Sequence, residues 1–295
     1  MIGIVSIRSL ARMLGIPRSH LEKVAAEINS HYSEWPKTNR RTGKVRIIRS
    51  PSDELKSIQT RIAKRLFNAI DFGPEIQGGV RGKSPKSNAK VHLGRKCVVT
   101  IDVRKFYPSI RHAVVYRMLR TEFGYGRDVA ALVTRLVTHD GQLPQGAPTS
   151  TVIANALLRL PVDKPLAAEA TRSGIAYTRF IDDIGASGPD PRMLINLAAR
   201  QLSKRQLSIS RNDKLKIMPN SRPQEITGLL VNGRKPSLSK KRRDRVRAAI
   251  HEMKSLREGQ QRADAIRSIL GRIAHVKQFN EGSANRLERL LNTAD

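Results

Sequence analysis

Three aspartates lie next to apolar segments, where their carboxylates could bind metal ions. Asp102 follows the β-prone run 97–101, and Asp182 and Asp183 lie between apolar residues on both sides. Adjacent aspartates are usually a solvated turn, but unpaired carboxylates on otherwise buried strands are costly unless a cation or a basic group compensates them. Oxygen ligands of this kind suit Mg²⁺. Two such ions about 3.5–4 Å apart can activate an attacking hydroxyl and stabilise a leaving oxygen in phosphoryl transfer.

The elements that must position these carboxylates are predicted strands over residues 97–101, 175–180 and 184–187. Further strands are predicted over 44–48, 209–218 and 225–231, and helices over 52–70, 108–120, 128–139 and 193–206. A helix from Thr149 should be kinked or split by Pro161 and Pro165. Everything beyond Pro236 has a helical pattern rich in Lys and Arg. This order predicts an α+β fold followed by a basic helical lobe.

The N-terminal segment 9–28 predicts two short helices around Gly15 and Pro17. Its spacing of Leu10, Leu14 and Leu21 resembles a DNA-binding helix-turn-helix, but a helical hairpin that only packs against the core has the same pattern. The segment therefore leaves both interpretations open.

The net charge, the lengths of the apolar runs and the cysteine count restrict the kinds of protein that this chain can be. The chain has 295 residues with 55 Lys+Arg against 25 Asp+Glu, a formal charge of +30, and these cations run from Arg8 to Arg289. Such a charge favours a nucleic acid partner. A protein that binds an anionic membrane surface typically gathers its cations on one amphipathic helix, whereas here they are spread along the chain. No apolar run approaches the roughly 20 residues of a membrane helix. The single Cys97 excludes a disulfide framework, and the N-terminus lacks a secretory signal, so we expect a cytoplasmic protein.

Five ordered motifs make the chain similar to the reverse transcriptases of bacterial retrons. Residues 102–110 (DVRKFYPSI) resemble the first catalytic motif, 143–150 (LPQGAPTS) the motif after it, and 177–183 (YTRFIDD) the double-Asp hairpin. Residues 88–92 (NAKVH) fit the retron signature Asn-Ala-x-x-His, and 226–228 (ITG) resemble Val-Thr-Gly. The resemblance extends from about Tyr32 to Leu291.

The chain departs from the family pattern at three places. Phe180-Ile181 stands where Tyr-Ala is more frequent, Thr151 replaces a frequent Pro, and Pro161 interrupts a helix. None of these changes removes a carboxylate, so they bear on geometry and speed.

The fold implied by the resemblance is a right-hand polymerase with fingers, a palm that contains an antiparallel sheet, and a short helical thumb. The expected boundaries are 1–95 for the N-terminal helices and fingers and 96–233 for the palm, with finger-side helices at about 113–142. The basic thumb is expected over 234–295.

The resemblance implies that Asp102 and Asp182 bind two Mg²⁺ ions, for which Mn²⁺ is a possible substitute. Asp183 would complete the acidic cluster, and the backbone carbonyl of Val103 would add a metal ligand. An alternative for Asp183 is a structural carboxylate that holds the turn.

The same resemblance assigns a nucleotide pocket. Tyr107 would lie under the sugar and reject a ribonucleotide 2′-OH, with core packing as the alternative. Gln145 and Gly146 would line the incoming nucleotide, and Lys44 and Arg46 would grip its triphosphate, unless they are only solvated surface cations. Lys214 would protonate the leaving pyrophosphate or contact backbone phosphate.

Template recognition is implied for Asn88 and His92, although a buried, hydrogen-bonded core histidine is an equal alternative. His92 has no Cys or His partner at the spacing of a zinc site. A basic helix would lie along the template–product duplex, where A-form grooves are recognised by shape and phosphate contacts. Its cations are Lys240, Lys241, Arg242, Arg243, Arg245 and Arg247.

The resemblance implies RNA-directed DNA synthesis from dNTPs on a cognate noncoding RNA that is both template and primer. Synthesis would start at an internal 2′-OH and leave a branched RNA–DNA product (msDNA). It also implies a role in phage defence with an effector protein encoded separately, since no segment is left for an effector. One alternative is another bacterial reverse transcriptase, of the group II intron or abortive-infection type. A second is a non-catalytic RNA-binding scaffold, which the intact Asp102, Asp182, Asp183 and Gln145 argue against.

Overall fold

A computed structural model describes residues 3–38, 43, 45–210, 215–256 and 258–293, without the side chain of Arg46. Within these ranges, no helix has both the length and the apolar character needed to cross a lipid bilayer.

The described chain alternates helices and short strands, with its longest helices at the C-terminus. The helices are α1 (Ile7–Leu14), α2 (Arg18–Ala26), α3 (Asp53–Leu66), α4 (Pro85–Val91), α5 (Phe106–Ser109), α6 (His112–Thr121), α7 (Arg127–Val137), α8 (Ser150–Leu158), α9 (Lys164–Arg172), α10 (Met193–Ser203), α11 (Lys240–Lys254), α12 (Gln260–Lys277) and α13 (Glu281–Asn292). The strands are β1 (Tyr32–Thr38), β2 (Val45–Pro51), β3 (Cys97–Asp102), β4 (Ala176–Phe180), β5 (Asp183–Gly188), β6 (Lys216–Pro219), β7 (Glu225–Ile226) and β8 (Leu229–Leu230).

The centre of the molecule is a four-stranded antiparallel sheet in the order β4-β5-β3-β6. β3 pairs with β5 in a register that sets Cys97 opposite Gly188 at one end and Asp102 opposite Asp183 at the other. The pairing of β4 with β5 starts at Phe180 and Asp183, so the two strands form a tight hairpin. The predicted strand–turn–strand over 175–187 and the α+β class are therefore confirmed.

Alternation along β3 assigns its two faces to two different apolar cores. Val99 and Ile101 belong to a large core with the N-terminal helices and α6–α10. Val98 points the other way and belongs to a second core with Met218 and the helices α11–α13. Successive side chains on a strand point to opposite faces, so this one strand ties the C-terminal lobe to the rest of the protein.

The N-terminal helices pack into the large core. The leucines Leu10, Leu14 and Leu21 are fully buried, and Gly15 ends α1 in the left-handed conformation that a glycine adopts without strain. This burial is what the packed-hairpin interpretation predicts for residues 9–28.

One helical prediction needs correction. The helix expected from Pro108 to Arg120 is instead two helices, because α5 ends at Ser109 and α6 begins at His112. The α-helix that begins near Thr149 is interrupted at Pro161, as expected, and the interruption is a π-helical turn over Arg159–Asp163 that joins α8 to α9. A widened turn accommodates the missing N–H of a proline.

The strand predictions were less accurate outside the hairpin. The single strand expected over 225–231 is a small hairpin, β7–β8, which turns at Thr227 and Gly228, both with positive φ. The strand expected over 209–218 includes residues 211–214, which lie outside the described part of the chain. In the described part, β6 spans Lys216–Pro219, and Ile209 makes an isolated bridge to Val103. Strand β1, which pairs with β2, was not predicted.

Candidate active site

The three aspartates meet at one end of the central sheet. Asp102 ends β3 directly opposite Asp183, the first residue of β5, and the backbone N–H of Val103 donates to the carbonyl of Asp182 at 3.0 Å. Asp102 is 8% exposed, whereas Asp182 is half-buried and Asp183 is exposed. Sheet register therefore brings together residues that are 80 positions apart in the chain.

The donor set is made of carboxylate oxygens, which suits a hard cation such as Mg²⁺. Among the described residues, no group of three or more His, Cys, Asp and Glu is arranged as a complete metal-binding cluster. Mg²⁺ is usually held by one or two carboxylates together with substrate phosphates and water. The aspartates thus fit a site whose coordination a bound nucleotide would complete.

The cleft beside Asp182, called the front cleft from here on, is where several of the predicted residues meet. Its volume is ≈ 790 Å³. The predicted site residues that line it are Val103, Tyr107, Gln145, Gly146 and Asp182. The front cleft therefore joins one acidic residue to the loop 143–150 and to the aromatic residue that follows β3.

Gln145 and Gly146 are held in the front cleft by strand β2. The N–H of Arg49 donates to the carbonyl of Gln145 at 3.3 Å. Gly146 has φ +120, and a Cβ built on it would lie 3.2 Å from the carbonyl oxygen of Arg49. A residue with a side chain would be strained at this position, so glycine lets the loop run close against β2.

Tyr107 is half-buried in the wall of the front cleft. Its hydroxyl shares a 2.8 Å hydrogen bond with the hydroxyl of Thr151, and its ring packs edge-on against Phe106. Burial raises the pKa of the Tyr107 phenol above its ordinary value, so the hydroxyl stays protonated. Thr151, one of the departures from the family pattern, thus acts as the hydrogen-bonding partner that orients this ring.

One face of the β1–β2 hairpin forms another wall of the front cleft, through Val45, Ile47 and Arg49. Arg49 is held there by Glu34, with Nε 2.5 Å from Oε1, and by Asp140 at 3.4 Å. Sequence reasoning missed Arg49, although the period-2 spacing of these three residues was an available signal. Arg46 pairs with Lys37 in the backbone register of the hairpin, and Lys44 lies outside the described residues.

A second cleft, called the rear cleft, lies between the sheet and the C-terminal lobe and has a volume of ≈ 460 Å³. Among the residues that line it are Asn88, Asp102, Asp183, Thr227 and Arg242. The Asn88 amide donates to the Thr227 hydroxyl at 3.4 Å. The two retron-signature segments, 88–92 and 226–228, therefore meet beside the acidic residues.

His92 does not line either cleft. It is fully buried, and its ring nitrogens lie 2.7 Å from the hydroxyls of Ser187 and Thr178. Burial lowers the pKa of His92 to about 4, so the ring is neutral. This position agrees with the alternative of a hydrogen-bonded core histidine and leaves the ring no direct contact with a ligand in this conformation.

The predicted basic helix is α11, and its side chains differ in exposure. The exposed cations are Lys240, Lys241, Arg242, Arg245 and Arg247. Arg243 is half-buried and donates to the Ser283 hydroxyl of α13 at 3.3 Å. Lys214, the predicted general acid, lies outside the described residues.

Sequence reasoning also missed Arg179 and Asp163, a fully buried ion pair directly behind the acidic turn. The available signals were an arginine inside an apolar strand and an aspartate between two prolines of an apolar helix.

Comparison with known proteins gives two consistent findings. Residues 35–229 match the model of the family described as "Reverse transcriptase (RNA-dependent DNA polymerase)". The retron Mx65 reverse transcriptase of Myxococcus xanthus is 34% identical over 272 residues, which are 85% of this chain and 62% of that protein. The retron Se72 reverse transcriptase of Salmonella heidelberg is 28% identical over 302 residues, 98% of this chain and 79% of that protein. The retron Ec48 reverse transcriptase of Escherichia coli is 28% identical over 307 residues, 97% and 72% of the two chains.

Proposed function

We propose that this chain, which belongs to the reverse transcriptase family and is of the bacterial retron type, copies part of a cognate structured RNA into single-stranded DNA. The observation that carries the proposal is the meeting of Asp102, Asp182 and Asp183 at the mouth of two clefts. One cleft holds the loop of Gln145 and Gly146, and the other holds both retron-signature segments. The chain spans only 62% of the Mx65 relative, so the activity and partners of that whole protein are carried over here only as part of this proposal.

The proposed right-hand arrangement follows from the same elements. The central sheet β4-β5-β3-β6 would be the palm, the β1–β2 hairpin with the N-terminal helices the fingers, and α11–α13 the thumb. The two apolar cores, one on each face of β3, support a palm to which the thumb is firmly attached.

The proposed chemistry is nucleotidyl transfer. Asp102 and Asp182 would hold two divalent ions, with Asp183 completing the acidic cluster and the Val103 carbonyl adding a ligand. Mg²⁺ fits these oxygen donors, and Mn²⁺ could replace it. When bound, the ions would supply activation of the attacking hydroxyl and charge stabilisation at the leaving pyrophosphate. The chain's own part is to hold these carboxylates at the end of a rigid sheet.

Nucleotide selection is assigned to the front cleft. Tyr107, oriented by Thr151, would lie under the sugar and exclude a 2′-OH. Gln145 and Gly146 would line the incoming nucleotide, since the glycine leaves space where a side chain would project. Arg46, Lys44 and Lys214 remain proposed contacts of the triphosphate and of the leaving group.

Template binding is assigned to the rear cleft and α11. Asn88 lines the rear cleft and can offer its amide to RNA, whereas the buried His92 would act by holding α4 on the sheet. The exposed cations of α11 would follow the phosphates of the template–product duplex.

The wider biological role is also a proposal. The RNA would serve as template and primer, with synthesis from an internal 2′-OH leaving a branched product. The protein would act in the cytoplasm as part of a phage-defence system together with a separately encoded effector.

The test is made on the protein expressed with its native flanking DNA. Nucleic acid extracted from the purified protein is digested with RNase and separated on a denaturing gel. We expect a discrete short DNA, absent when Asp182 and Asp183 are both changed to Ala and retained in the control Asp190→Asn, which alters an exposed carboxylate paired with Arg192. A mobility shift after treatment with a 2′–5′ debranching enzyme would support priming from a 2′-OH. Bound RNA without DNA, identical in wild type and mutant, would instead support the non-catalytic scaffold.

A further inference from the structure

A fully buried ion pair lies directly behind the acidic turn. Arg179 is in β4, and Asp163 ends the π-helical turn between α8 and α9. Two parallel hydrogen bonds join them, Nε to Oδ1 and Nη2 to Oδ2, each 2.8 Å, and both side chains are 0% exposed. The Tyr177 hydroxyl donates to the same carboxylate at 2.7 Å.

The remaining donors of Arg179 point toward the turn. Its Nη1 donates to the carbonyl of Ile181 at 2.9 Å and to the Asn155 side-chain oxygen at 2.9 Å. Burial acts to lower the pKa of the Arg179 guanidinium, but Asp163, together with Tyr177 and Glu75, outweighs it, so the pKa is raised above its ordinary value. The guanidinium is therefore a charged bridge between a helix and the residue that precedes Asp182.

The backbone that Arg179 contacts is in an unfavourable conformation. Ile181 has φ +62, where a β-branched residue is strained by about 1–3 kcal/mol. The surrounding structure must hold such a residue in place. The contact from Arg179 to the Ile181 carbonyl is one restraint on this peptide.

A second restraint comes from the loop before α4. A Cβ built on Gly78 would lie 2.4 Å from the Ile181 nitrogen, so this loop passes directly against the turn. The Asn155 amide donates to the Gly78 carbonyl at 2.9 Å, and Asn155 also accepts from Arg179. Asn155 therefore links the two restraints to each other.

We propose that Arg179 is a positioning residue, which fixes the Ile181–Asp182 peptide so that Asp182 faces the front cleft in one orientation. This inference rests on the proposed function, because it assigns a role in the reaction of the same site. The π-helical turn at Pro161 contributes to this positioning, because it ends at Asp163, whose carboxylate binds Arg179. A buried ion pair gives little net stability over an apolar pair, whereas the forked guanidinium can reach Asp163, Asn155 and Ile181 at once.

The test variant is Arg179→Lys. A lysine keeps a charge beside Asp163, but its single ammonium cannot replace the planar fork. We expect the maximal rate of single-nucleotide incorporation on a primed RNA template to fall about 10- to 100-fold, as for a lost hydrogen bond to a charged group. The KM for dNTP and the Kd for the RNA should stay within about twofold of wild type, because Arg179 itself lines neither cleft.

Two further variants distinguish a role in positioning Asp182 from a role in folding. Arg205→Lys, in the partly buried pair with Glu122, is the matched control and should leave the rate unchanged. Arg179→Met with Asp163→Leu removes both buried charges, which commonly preserves stability, and should be folded but slow. A folded Arg179→Lys or double variant with the wild-type rate would overturn the proposal. So would loss of the cooperative thermal transition in both, because Arg179 would then serve the fold. Absence of synthesis by the wild-type protein would instead contradict the proposed function.

Discussion

Tyr107 and Thr151 illustrate how a single hydrogen bond can define a pocket wall. The 2.8 Å contact between their hydroxyls fixes the ring of a half-buried tyrosine that has no second polar partner among the described hydrogen bonds. The tyrosine lines the front cleft, and its hydroxyl is engaged by Thr151. We therefore expect the ring, and not the hydroxyl, to limit the space beneath a bound sugar.

The first residue-scale prediction concerns sugar selection. Tyr107→Ala should raise the use of ribonucleotides relative to deoxyribonucleotides by about 10- to 200-fold, the range for one steric group in a pocket. The measurement compares kcat/KM for rNTP and dNTP incorporation on one template. Tyr107→Phe keeps the ring and its packing against Phe106 but removes the bond to Thr151 that orients it, so it should lose only a small part of the selectivity of the wild type. Equal selectivity in the Ala variant would exclude Tyr107 as the steric gate.

Helix α4 shows how a short element can join two parts of the protein. Its N-terminus is a reciprocal cap between Ser84 and Ser87, with Pro85 in the first turn, which defines where the helix begins. At its other end His92 is fixed between Ser187 of β5 and Thr178 of β4. Asn88, in between, contacts Thr227 beside β7. The helix therefore locks the hairpin β4–β5 to the β7–β8 turn.

The element-scale prediction follows from the lowered pKa of His92. Its pKa is about 4 in the folded chain against 6.5 for an ordinary histidine, so the unfolded chain binds the proton more readily. The stability that the neutral ring provides is complete above pH 6.5 and is lost as the pH falls toward 4, by about 3 kcal/mol in all. Thermal denaturation of wild type between pH 7 and 4.5 should show this loss. In His92→Gln the pH dependence should be weaker than in wild type, and an unchanged pH dependence in this variant would contradict the role assigned to the buried neutral ring.

At the scale of the whole molecule, the charge of +30 is distributed over both lobes. Among the cations of α11, Arg242 lines the rear cleft, and the exposed cations Lys240, Lys241, Arg245 and Arg247 belong to the same helix. A duplex that leaves the acidic residues through this cleft would pass along α11. Two sets of residues would therefore contact nucleic acid: a few polar groups that line the clefts, and many surface cations that would contact the phosphates.

The whole-molecule prediction concerns salt. Each phosphate contact contributes about 0.7–0.9 to the slope of log K against log salt concentration. RNA affinity should fall steeply as salt rises, and the variant Lys241→Gln with Arg245→Gln should reduce the slope by about 1.5. Lys204→Gln, an exposed cation beyond the end of α10, is the control and should not change it. An affinity that stays constant between low and moderate salt would contradict phosphate tracking by this surface.

Much of the site could be predicted because its residues lie in local patterns. The apolar runs before Asp102 and around Asp182 predicted three strands, and the structure places β3, β4 and β5 there. The loop of Gln145 and Gly146 was identifiable from its Pro and Gly content. The family resemblance stated from these motifs is confirmed by the match over residues 35–229.

Other features depend on contacts between distant segments, and no local pattern encodes them. The buried ring of His92 has its hydrogen-bond partners in two hydroxyls that lie 86 and 95 positions away in the chain. Arg49 and Arg179 each carried a local signal, but their ion-pair partners Glu34 and Asp163 are set by tertiary contacts and could not be predicted from it. The periodicity of a sequence predicts the face of a helix or strand on which a residue lies, but it does not predict which residue of another element packs against it.

Local sequence thus established the strand-end carboxylates, the apolar run that forms β3, and the basic character of α11, since each depends on neighbouring residue types. Tertiary structure alone decided that Asp102 stands opposite Asp183, that Asp163 reaches Arg179, and that the two retron-signature segments meet at one cleft. The physical reason is that these contacts depend on sheet register and on the packing of two cores. Both are set by the whole chain, because a shift of one residue in the register would turn every side chain of the strand to the other face.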